Sequence, residues 1–366
     1  MARGASRSGP LVHVVGARPN FVKAGPVVRA LEQRGIVQVI VHTGQHYDRA
    51  MSELFFEQLG LPEPSRNLGV GSGSHAAQTA ALMVALEHAL TDLRPPLVVV
   101  YGDVNSTLAT ALVASKIDLP VAHVEAGLRS FDMTMPEEVN RRVTDMLSEL
   151  LFATSPEAVD NLVAEGIGRD RIHLVGNPMI DTLVANLGHF DPELAMAAYG
   201  VRAPYAVATL HRPSNVDSAE AAGGVVAMLG EVTDSLPVVL PLHPRGLRNL
   251  EAAGLRPSER LRIVDPMGYL EFVSLVRGAA VVVTDSGGVQ EETTVLGIPC
   301  LTVRPNTERP ITITHGTNRL VRPEEVGPAV RALLASPPRP PLEAPPLWDG
   351  HAGERIAEIL AVRLGG

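Results

Sequence analysis

Residues 281–292 read VVVTDSGGVQEE, and this stretch decides the fold class. An apolar, β-branched run stops at Thr-Asp-Ser-Gly-Gly and a segment with helical character follows, so a helix N-terminus faces the carboxyl end of a strand. Gly287 and Gly288 let a phosphate approach the backbone, Ser286 offers a hydroxyl, and an acidic residue one turn further suits a ribose. The stretch indicates a nucleotide site, and the alternative is an ordinary turn in which Asp285 or Ser286 caps the helix.

The length and composition of the chain favour two globular α/β domains. Its 366 residues are too many for one ordinary core, and a hydrophobic content of 45% is ample for packing two. The net charge of −9 argues against a general nucleic-acid binder, so any anion site must be local. We therefore expect no nucleic-acid partner.

The chain has one cysteine, Cys300, which excludes an internal disulfide and a multi-cysteine metal site. Its apolar neighbours predict an inert core thiol, and this cysteine usage is compatible with a cytoplasmic location. No apolar run reaches the length of a membrane span, so we expect no membrane partner. Residues 1–10 read as a disordered lead.

Outward from residues 281–292, short apolar runs alternate with amphipathic segments. Strands are predicted at residues 11–15, 37–42, 97–101, 121–124 and 172–175, then at 205–210, 237–241, 261–264, 279–284 and 299–303. Such alternation is typical of doubly wound parallel sheets, so the predicted fold is α/β with two Rossmann-like domains. Ligands bind beyond the carboxyl ends of such strands, and two facing domains would form an interdomain cleft.

The boundary between the two domains is expected near residues 186–205. We assign residues 11–186 to the first domain and residues 187–350 to the second. The Pro-rich residues 337–346 read as an extended connector. A C-terminal helix within residues 351–366 is expected to cross back and complete the first domain.

Charged side chains follow the predicted strands of the first domain. Arg18 and Lys23 come after the first strand at a helix entry, where two cations suit a diphosphate. Asp103, Glu125 and Glu137 recur at later strand ends or in the loops beyond them, and carboxylates that converge on one pocket can divide acid and base roles. Taken singly, each of these side chains is also explained by a solvated helix start or an N-cap.

Polar side chains also follow the strands of the second domain. His211 is a candidate donor of a proton or hydrogen bond to a leaving oxygen, and Arg212 and His243 are candidate phosphate ligands. Arg309 follows a strand close in sequence to Ser286 and is expected in the same site. A lone histidine at a strand end is more often structural, which is the alternative for His211.

Neither a redox cofactor nor a metal is indicated. The glycine-rich residues 69–74 have the wrong spacing for a dinucleotide fingerprint and no strand before them. His42 and His46 have a metal-like separation, but a loop does not hold them on one face. His123 and Glu125 match half of a zinc deaminase signature whose paired cysteines are missing. We therefore expect no cofactor and no metal.

Ten short segments carry a further signal through their order: GARPNFVK, TGQH, GDVNST, HVEAGLRS, MPEEVNRR, GNPMID, TLHRPSN, HPR, DSGGVQEE and TERP. Between Val14 and Val321 they resemble the non-hydrolysing UDP-N-acetylglucosamine (UDP-GlcNAc) 2-epimerases. The resemblance implies a GT-B-type fold, with two Rossmann-like domains facing an interdomain cleft and UDP bound by the second domain. It also implies UDP-GlcNAc and UDP-N-acetylmannosamine (UDP-ManNAc) as partners, no cofactor and a homodimer.

By motif matching, the resemblance implies two groups of site residues. The catalytic group is Lys23, Asp103, Glu125, Glu137, Arg141 and His211, and the substrate-binding group is Arg18, His243, Ser286, Gly287, Gly288, Glu292 and Arg309. Glu292 is expected on the ribose. The implied reaction is anti elimination of UDP to a 2-acetamidoglucal, followed by re-addition with a proton on the other face of the sugar.

Several alternatives remain open at this point. A hydrolysing epimerase would release free N-acetylmannosamine, an epimerase of a modified UDP-N-acetyl sugar would share the site, and a GT-B glycosyltransferase would add an acceptor pocket. Family members activated by their own substrate bind a second UDP-sugar through a Gln after TGQH and a later Arg-containing stretch. Here those regions read YDRAM at residues 47–51 and GVGSGSH at residues 69–75, which predicts no such activation.

Overall fold

The computed structural model describes residues 8–44, 58–335 and 343–365, without the side chains of Arg18, Pro213, Pro244 and Arg245. Most of the predicted lead and of the predicted connector, and the YDRAM segment, lie outside the described residues. Within the described part of the chain, no helix is both long and apolar enough to cross a membrane.

The chain divides into two compact units. Unit 1 comprises Met1–Ala185 and Pro346–Gly366, and unit 2 comprises Asn186–Pro345. The C-terminal residues therefore group with the N-terminal unit, and each unit has its own sheet and its own core.

Unit 1 contains a parallel sheet. Its strands among the described residues are β1 (Leu11–Val15), β2 (Gln38–His42), β3 (Arg66–Asn67), β4 (Val98–Tyr101), β5 (Val121–Ala126), β6 (Leu150–Ala153) and β7 (Ile172–Leu174). They lie in the order β3-β2-β1-β4-β5-β6-β7. Val12 of β1 pairs with Val39 on one side and with Val98 on the other. Every residue of β1, β4 and β5 is buried, as expected for a parallel sheet covered on both faces.

Helices connect these strands. They are α1 (Arg18–Glu32), α2 (His75–Leu93), α3 (Asn105–Lys116), α4 (Pro136–Leu147), α5 (Pro156–Ala164) and α6 (Pro178–Ala185), with a 3₁₀ turn at Arg169–Arg171. The C-terminal helix Ala352–Leu364 packs against α1, where a Cβ on Gly353 would lie 2.7 Å from the carbonyl carbon of Pro26. Asp181 fixes the start of that helix by accepting hydrogen bonds from the amides of Ala352 (3.1 Å) and Gly353 (2.6 Å).

Unit 2 contains a second parallel sheet. Its strands are β8 (Ala206–Thr209), β9 (Val238–Pro241), β10 (Leu261–Val264), β11 (Val281–Thr284), β12 (Cys300–Val303) and β13 (Asn318–Val321). Their order, β10-β9-β8-β11-β12-β13, is the 3-2-1-4-5-6 arrangement of a Rossmann domain. The helices are α7 (Pro192–Tyr199), α8 (Pro213–Val216), α9 (Ala219–Ser235), α10 (Pro244–Ala252), α11 (Tyr269–Gly278), α12 (Gly287–Leu296), α13 (Ile311–Thr314) and α14 (Pro323–Ala335).

The predicted fold class, two Rossmann-like parallel-sheet α/β domains, is confirmed. The sequence did not predict β3, β6 or β13. Strand β6 reads LLFA and begins three residues after α4 ends at Leu147, and periodicity cannot separate such a short apolar run from a helix. Strand β13 reads NRLV and lies at the sheet edge, where its polar residues weaken the apolar signal.

In each unit the strand order reverses at one place, between β1 and β4 in unit 1 and between β8 and β11 in unit 2. Loops that leave the carboxyl ends of two such strands diverge, and ligands of doubly wound sheets bind there. Lys23 and Asp103 follow β1 and β4, and His211 and Ser286 follow β8 and β11. The topology therefore places candidate residues at both switch points.

Candidate functional site

In unit 1, Lys23 and Glu125 form a buried ion pair. Lys23 comes from α1 and Glu125 from β5, where its φ of 75° is in the left-handed region. Gly102, with a φ of 67°, lies directly against the pair, because a Cβ there would be 3.0 Å from Glu125 Oε2 and 3.3 Å from Lys23 Nζ. The structure thus brings two predicted site residues together, and it requires glycine beside them.

Asn20 joins the two loops of this switch point, and the sequence did not single it out. Its Oδ1 accepts hydrogen bonds from the amides of Gly16 and Ala17, both at 3.0 Å. Its Nδ2 donates to the carbonyl oxygen of Tyr101 at 2.8 Å. The sequence signal that could have identified Asn20 was its position between the two predicted cations, Arg18 and Lys23.

Asp103 and Arg141 form the second pair of this site, with Arg141 Nε 3.0 Å from Asp103 Oδ2. Arg141 is buried, while the Asp103 side chain remains 25% exposed. A second buried carboxylate, Glu138, holds Arg141 Nη1 at 2.6 Å. Two predicted catalytic residues are therefore in contact, with the Asp103 carboxylate partly open to solvent.

Glu138 makes the ion pairs at the start of α4, and its neighbour Glu137 is half-buried there. Glu138 accepts hydrogen bonds from the amide of Ser130 (2.8 Å) and its hydroxyl (3.0 Å). Burial alone would raise the pKa of Glu138, but these bonds and the charge of Arg141 outweigh burial and lower it. Glu138 is thus an ionised anchor, and the sequence analysis assigned it no role.

In unit 2, the buried carboxylate of Asp285 organises the β8 loop. It accepts hydrogen bonds from the amides of His211 (3.0 Å) and Arg212 (2.9 Å) and from Asn215 Nδ2 (2.9 Å). Burial alone would raise the pKa of Asp285, but the hydrogen bonds and charge of His211, with those of Arg212 and Asn215, lower it. The carboxylate is therefore ionised, and it binds the β8 loop rather than the helix α12 that follows it.

Asp285 also orients the ring of His211. Nδ1 of His211 lies 2.9 Å from Asp285 Oδ1, and the His211 side chain is 63% exposed. A carboxylate that fixes one ring nitrogen leaves the other directed outward as a donor or acceptor. The expected proton-handling role of His211 is compatible with this geometry, which a lone strand-end histidine would lack.

Residues 281–292 form β11, a short turn and the first part of α12. Ser286 occupies the N-cap position, but its hydroxyl makes no capping hydrogen bond. Ser286 is therefore the N-cap residue by position, as the alternative predicts, but without a side-chain capping hydrogen bond, and the Asp285 carboxylate binds the β8 loop instead. Gly287 is sterically required because a Cβ would lie 2.4 Å from Arg309 Nη1, and Gly288 follows it in the first turn.

Arg309 lies beneath this helix start among buried carboxylates. Its Nε is 2.9 Å from Glu291 Oε1, and its Nη1 contacts Glu308. Glu308 also holds Arg304 Nη2 at 2.6 Å. Arg309 thus supports the Gly287 turn with a guanidinium that Glu291 and Glu308 neutralise. The sequence analysis did not identify Glu291 or Glu308 as its partners.

Glu292 is buried on the second turn of α12 beside Tyr269. Burial raises the pKa of Glu292 to about 8, a hydrogen bond with Tyr269 opposes the shift, and the charge of Glu291 adds to it. The carboxyl group is therefore mostly protonated at neutral pH. Its role on a ribose stays a prediction.

Replacing Glu292 by glutamine should remove a pH-dependent loss of stability. The folded-state pKa of about 8 lies above the ordinary value of 4.5, so between these values the folded protein binds more protons than the unfolded chain. The wild-type free energy of unfolding should therefore fall, relative to that of E292Q, as the pH rises from about 5 to about 8. Urea unfolding at several pH values measures this difference, and a difference that does not change with pH would contradict the buried, protonated carboxyl.

Four residues that the sequence analysis considered add little to the geometry. The side chain of Arg18 and all of His46 lie outside the described residues. His243 is exposed at the end of β9, directly before α10. His42 is buried with its ring 5.4 Å from that of Phe21. The described part of the chain contains no cluster of His, Cys, Asp and Glu that could hold a metal.

The chain is similar to known proteins over most of its length. The family model of UDP-N-acetylglucosamine 2-epimerase matches residues 29–361. A Methanocaldococcus jannaschii protein named UDP-N-acetylglucosamine 2-epimerase is 42% identical over 359 residues, covering 95% of this chain and 97% of the relative. A Pseudomonas aeruginosa protein named UDP-2,3-diacetamido-2,3-dideoxy-D-glucuronate 2-epimerase is 41% identical over 363 residues, covering 96% and 99%.

A solved structure extends the comparison to three dimensions. The crystal structure of M. jannaschii UDP-GlcNAc 2-epimerase in complex with UDP-GlcNAc and UDP aligns with a TM-score of 0.90. The two chains are 41% identical, and the alignment covers 96% of this chain and 99% of that chain. The structural similarity therefore includes residues of both units.

Proposed function

The chain belongs to the UDP-N-acetylglucosamine 2-epimerase family, and from this we propose that it is an enzyme that reversibly converts UDP-GlcNAc to UDP-ManNAc by inversion at carbon 2. The observation that carries the proposal is the unit 1 switch point, where the Lys23–Glu125 pair lies beside Gly102 and Asp103 is paired with Arg141. Paired carboxylates and fixed cations suit proton transfer next to a departing phosphate.

The route that fits these residues is elimination followed by re-addition. The proton on sugar carbon 2 has no adjacent ketone to acidify it, so its direct removal to a carbanion is unfavourable. Instead, a base takes this proton while the carbon 1–oxygen bond breaks, and UDP departs with the bonding electrons to leave a 2-acetamidoglucal. UDP oxygen then attacks carbon 1, and carbon 2 receives a proton on its opposite face.

Unit 1 supplies the proton-transfer groups in this proposal. Asp103 is the carboxylate with a partly open side chain, and Glu125 is the buried one held by Lys23. Carboxylates also stabilise positive charge that develops at carbon 1 as the bond breaks. Glu137, half-buried at the start of α4, completes the proposed set.

Unit 2 holds UDP in this proposal. The amides at the start of α12, beside the hydroxyl of Ser286, form a site for the diphosphate. His211, oriented by Asp285, donates to the oxygen on which charge develops as UDP leaves. His243 is a further proposed phosphate ligand and Glu292 the proposed ribose ligand. Arg18, at the start of α1 in unit 1, also stays a proposed phosphate ligand.

Product analysis tests the overall reaction. The purified protein and UDP-GlcNAc, without added cofactor, should give UDP-ManNAc with its nucleotide attached, measured by proton and phosphorus NMR. Release of free N-acetylmannosamine and UDP would instead identify a hydrolysing epimerase. Transfer of the sugar to an added acceptor with retained carbon 2 configuration would identify a glycosyltransferase.

An oxygen label tests the elimination step. UDP-GlcNAc carrying ¹⁸O in the oxygen that bridges carbon 1 and phosphorus should lose the label from that position into the non-bridging oxygens of the β-phosphate. This scrambling requires cleavage of the carbon 1–oxygen bond and rotation of the freed phosphate before re-addition. Epimerised product with the label still in the bridge would contradict elimination.

A modified UDP-sugar is the second candidate substrate. The Pseudomonas aeruginosa relative, named for a 2,3-diacetamido-glucuronate, is 41% identical, close to the 42% of the Methanocaldococcus jannaschii relative. Turnover of that diacetamido sugar with a kcat/KM well above that for UDP-GlcNAc would move the assignment to it. The implied homodimer and cytoplasmic location also stay predictions, and sedimentation analysis tests the former.

A further inference from the structure

His123 lies on β5, two residues before Glu125, and its side chain is fully buried. Its Nδ1 is 2.6 Å from Asp145 Oδ1, and its Nε2 is 2.8 Å from the carbonyl oxygen of Gly102. A carbonyl oxygen can only accept a hydrogen bond, so Nε2 carries a proton.

The state of Asp145 fixes the second ring proton. The Asp145 carboxylate is buried, accepts a hydrogen bond from the amide of Gly127 at 3.1 Å, and lies 2.7 Å from Arg129 Nη2. Burial alone would raise the pKa of Asp145, but His123 and Arg129 outweigh burial and lower it. An ionised carboxylate can only accept, so Nδ1 also carries a proton and His123 is an imidazolium.

His123 closes a ring of alternating charge that contains a proposed catalytic carboxylate. In ring order the members are Asp103, Arg141, Glu138, Arg142, Glu165, Arg129, Asp145 and His123. In each consecutive pair a side-chain nitrogen lies within 3.6 Å of a carboxylate oxygen. Four carboxylates thus face three guanidiniums, and the imidazolium supplies the fourth positive charge. The ring returns to its start because His123 holds the carbonyl of Gly102, the residue before Asp103.

Gly102 connects this ring to the other proposed catalytic residues. Its amide donates to the carbonyl of Val124 at 3.0 Å, and its carbonyl accepts from His123, so the peptide groups on both sides of its Cα are held. A Cβ added to Gly102 would lie 3.0 Å from Glu125 Oε2 and 3.3 Å from Lys23 Nζ, so the Cα of Gly102 faces this ion pair. A shift of this peptide would therefore move Asp103 and press on the ion pair.

We propose that His123 is a positioning residue of the epimerisation site, whose imidazolium fixes the Gly102 carbonyl and thereby the placement of Asp103, Glu125 and Lys23. The inference rests on the proposed function above. His123 touches no reacting atom in this proposal and acts through Gly102. Its effect should therefore be on turnover rather than on UDP binding, since UDP is assigned to unit 2.

Two substitutions separate the two hydrogen bonds of His123. In H123Q the side-chain amide nitrogen can replace Nε2 as donor to Gly102, whereas in H123N the shorter amide can replace only the donor to Asp145. The matched control is H13N on β1, because His13 is also fully buried and its nitrogens lie 2.7 Å from Tyr101 Oη and 2.8 Å from Gln38 Oε1. Burial lowers the pKa of His13 to about 4, although a hydrogen bond that Gln38 Oε1 accepts from the ring opposes this shift, so this ring is neutral.

The kinetic outcome should follow the Gly102 bond. We expect H123N to lower kcat by roughly 30- to 100-fold with the Kd for UDP unchanged, and H123Q to keep kcat within about tenfold of the wild type. H13N should lose stability but keep kcat. A folded H123N with wild-type kcat, or H123Q no faster than H123N, would overturn the positioning role. If H123N does not fold, kcat and the Kd for UDP of H123Q decide instead. A loss of kcat as large as 100-fold in H123Q would then overturn the positioning role of His123.

Nitrogen NMR of the wild-type ring tests the charge independently of turnover. Both His123 nitrogens should show attached protons, while one His13 nitrogen should be bare; the signals are assigned by their loss in H123Q and H13N. A bare nitrogen on His123 would overturn the imidazolium. Failure of the wild type to epimerise would instead reject the proposed function and the kinetic role together, whereas the ring signals would still report the charge.

Discussion

Replacing Glu125 by glutamine should lower kcat for epimerisation of UDP-GlcNAc by about 10³-fold, with the Kd for UDP nearly unchanged. The amide keeps the shape of the side chain but can neither take up a proton nor stabilise positive charge at carbon 1. It also leaves the buried ammonium of Lys23 without its anionic partner. Stopped time courses followed by NMR, together with UDP titration, measure both quantities.

A matched variant separates this effect from general damage. Glu149, on the segment before β6, pairs with Arg363 of the C-terminal helix at 2.5 Å, and its side chain is 43% exposed. E149Q should therefore keep wild-type kcat although it also breaks an ion pair of unit 1. A folded E125Q that retains more than about a tenth of wild-type kcat would show that Glu125 is not a proton-transfer group.

Replacing Asp285 by asparagine should reduce both turnover and stability. Asparagine keeps an acceptor at only one of the two carboxylate oxygens. Its NH₂ therefore faces either the amides of His211 and Arg212 with Asn215, at Oδ2, or Nδ1 and the amide of His211, at Oδ1. Buried donors without acceptors cost about 1–3 kcal/mol each, and the loss of the His211 orientation should lower kcat by about 10²-fold. Urea unfolding and the epimerisation assay measure the two effects.

The pH dependence of this variant has a definite sign. Because the folded-state pKa of Asp285 is lowered, the carboxylate stabilises the wild type above its ordinary pKa, and this contribution is lost as the pH falls through the lowered value. D285N should therefore lack that acid-dependent loss. Asp234, exposed on α9, provides the control D234N, which should match the wild type in both assays. Equal kcat for D285N and D234N would remove the orienting role of Asp285.

The sequence predicted the elements of the fold better than the contacts of the site. Apolar runs alternating with amphipathic segments were enough to predict two parallel sheets, because central strands such as β1, β4 and β11 are buried on both faces. The positions of Lys23, Asp103 and His211 after strands were also readable, whereas Glu125 was predicted to follow its strand and lies within β5. The pairing of these residues was not readable, since Lys23 and Glu125 are 102 residues apart and meet only through the strand order.

Adjacent acidic residues show a second limit of the sequence. Glu137 and Glu138, like Glu291 and Glu292, differ by about 100° around their helices, so one of each pair meets the interior ion pairs and the other does not. The phase of the helix against the sheet decides which, and it depends on packing that no short motif contains. Asp285 illustrates the same point, because its side chain serves the β8 loop rather than the helix it precedes.

The most direct test of inversion through loss of the carbon 2 proton is hydrogen exchange with solvent. The protein is incubated with UDP-GlcNAc in heavy water without added cofactor, and the sugar ring is followed by NMR. We expect deuterium at carbon 2 in UDP-ManNAc and, as the reaction reverses, in UDP-GlcNAc as well. UDP-ManNAc formed with hydrogen retained at carbon 2 would contradict proton removal by the unit 1 carboxylates.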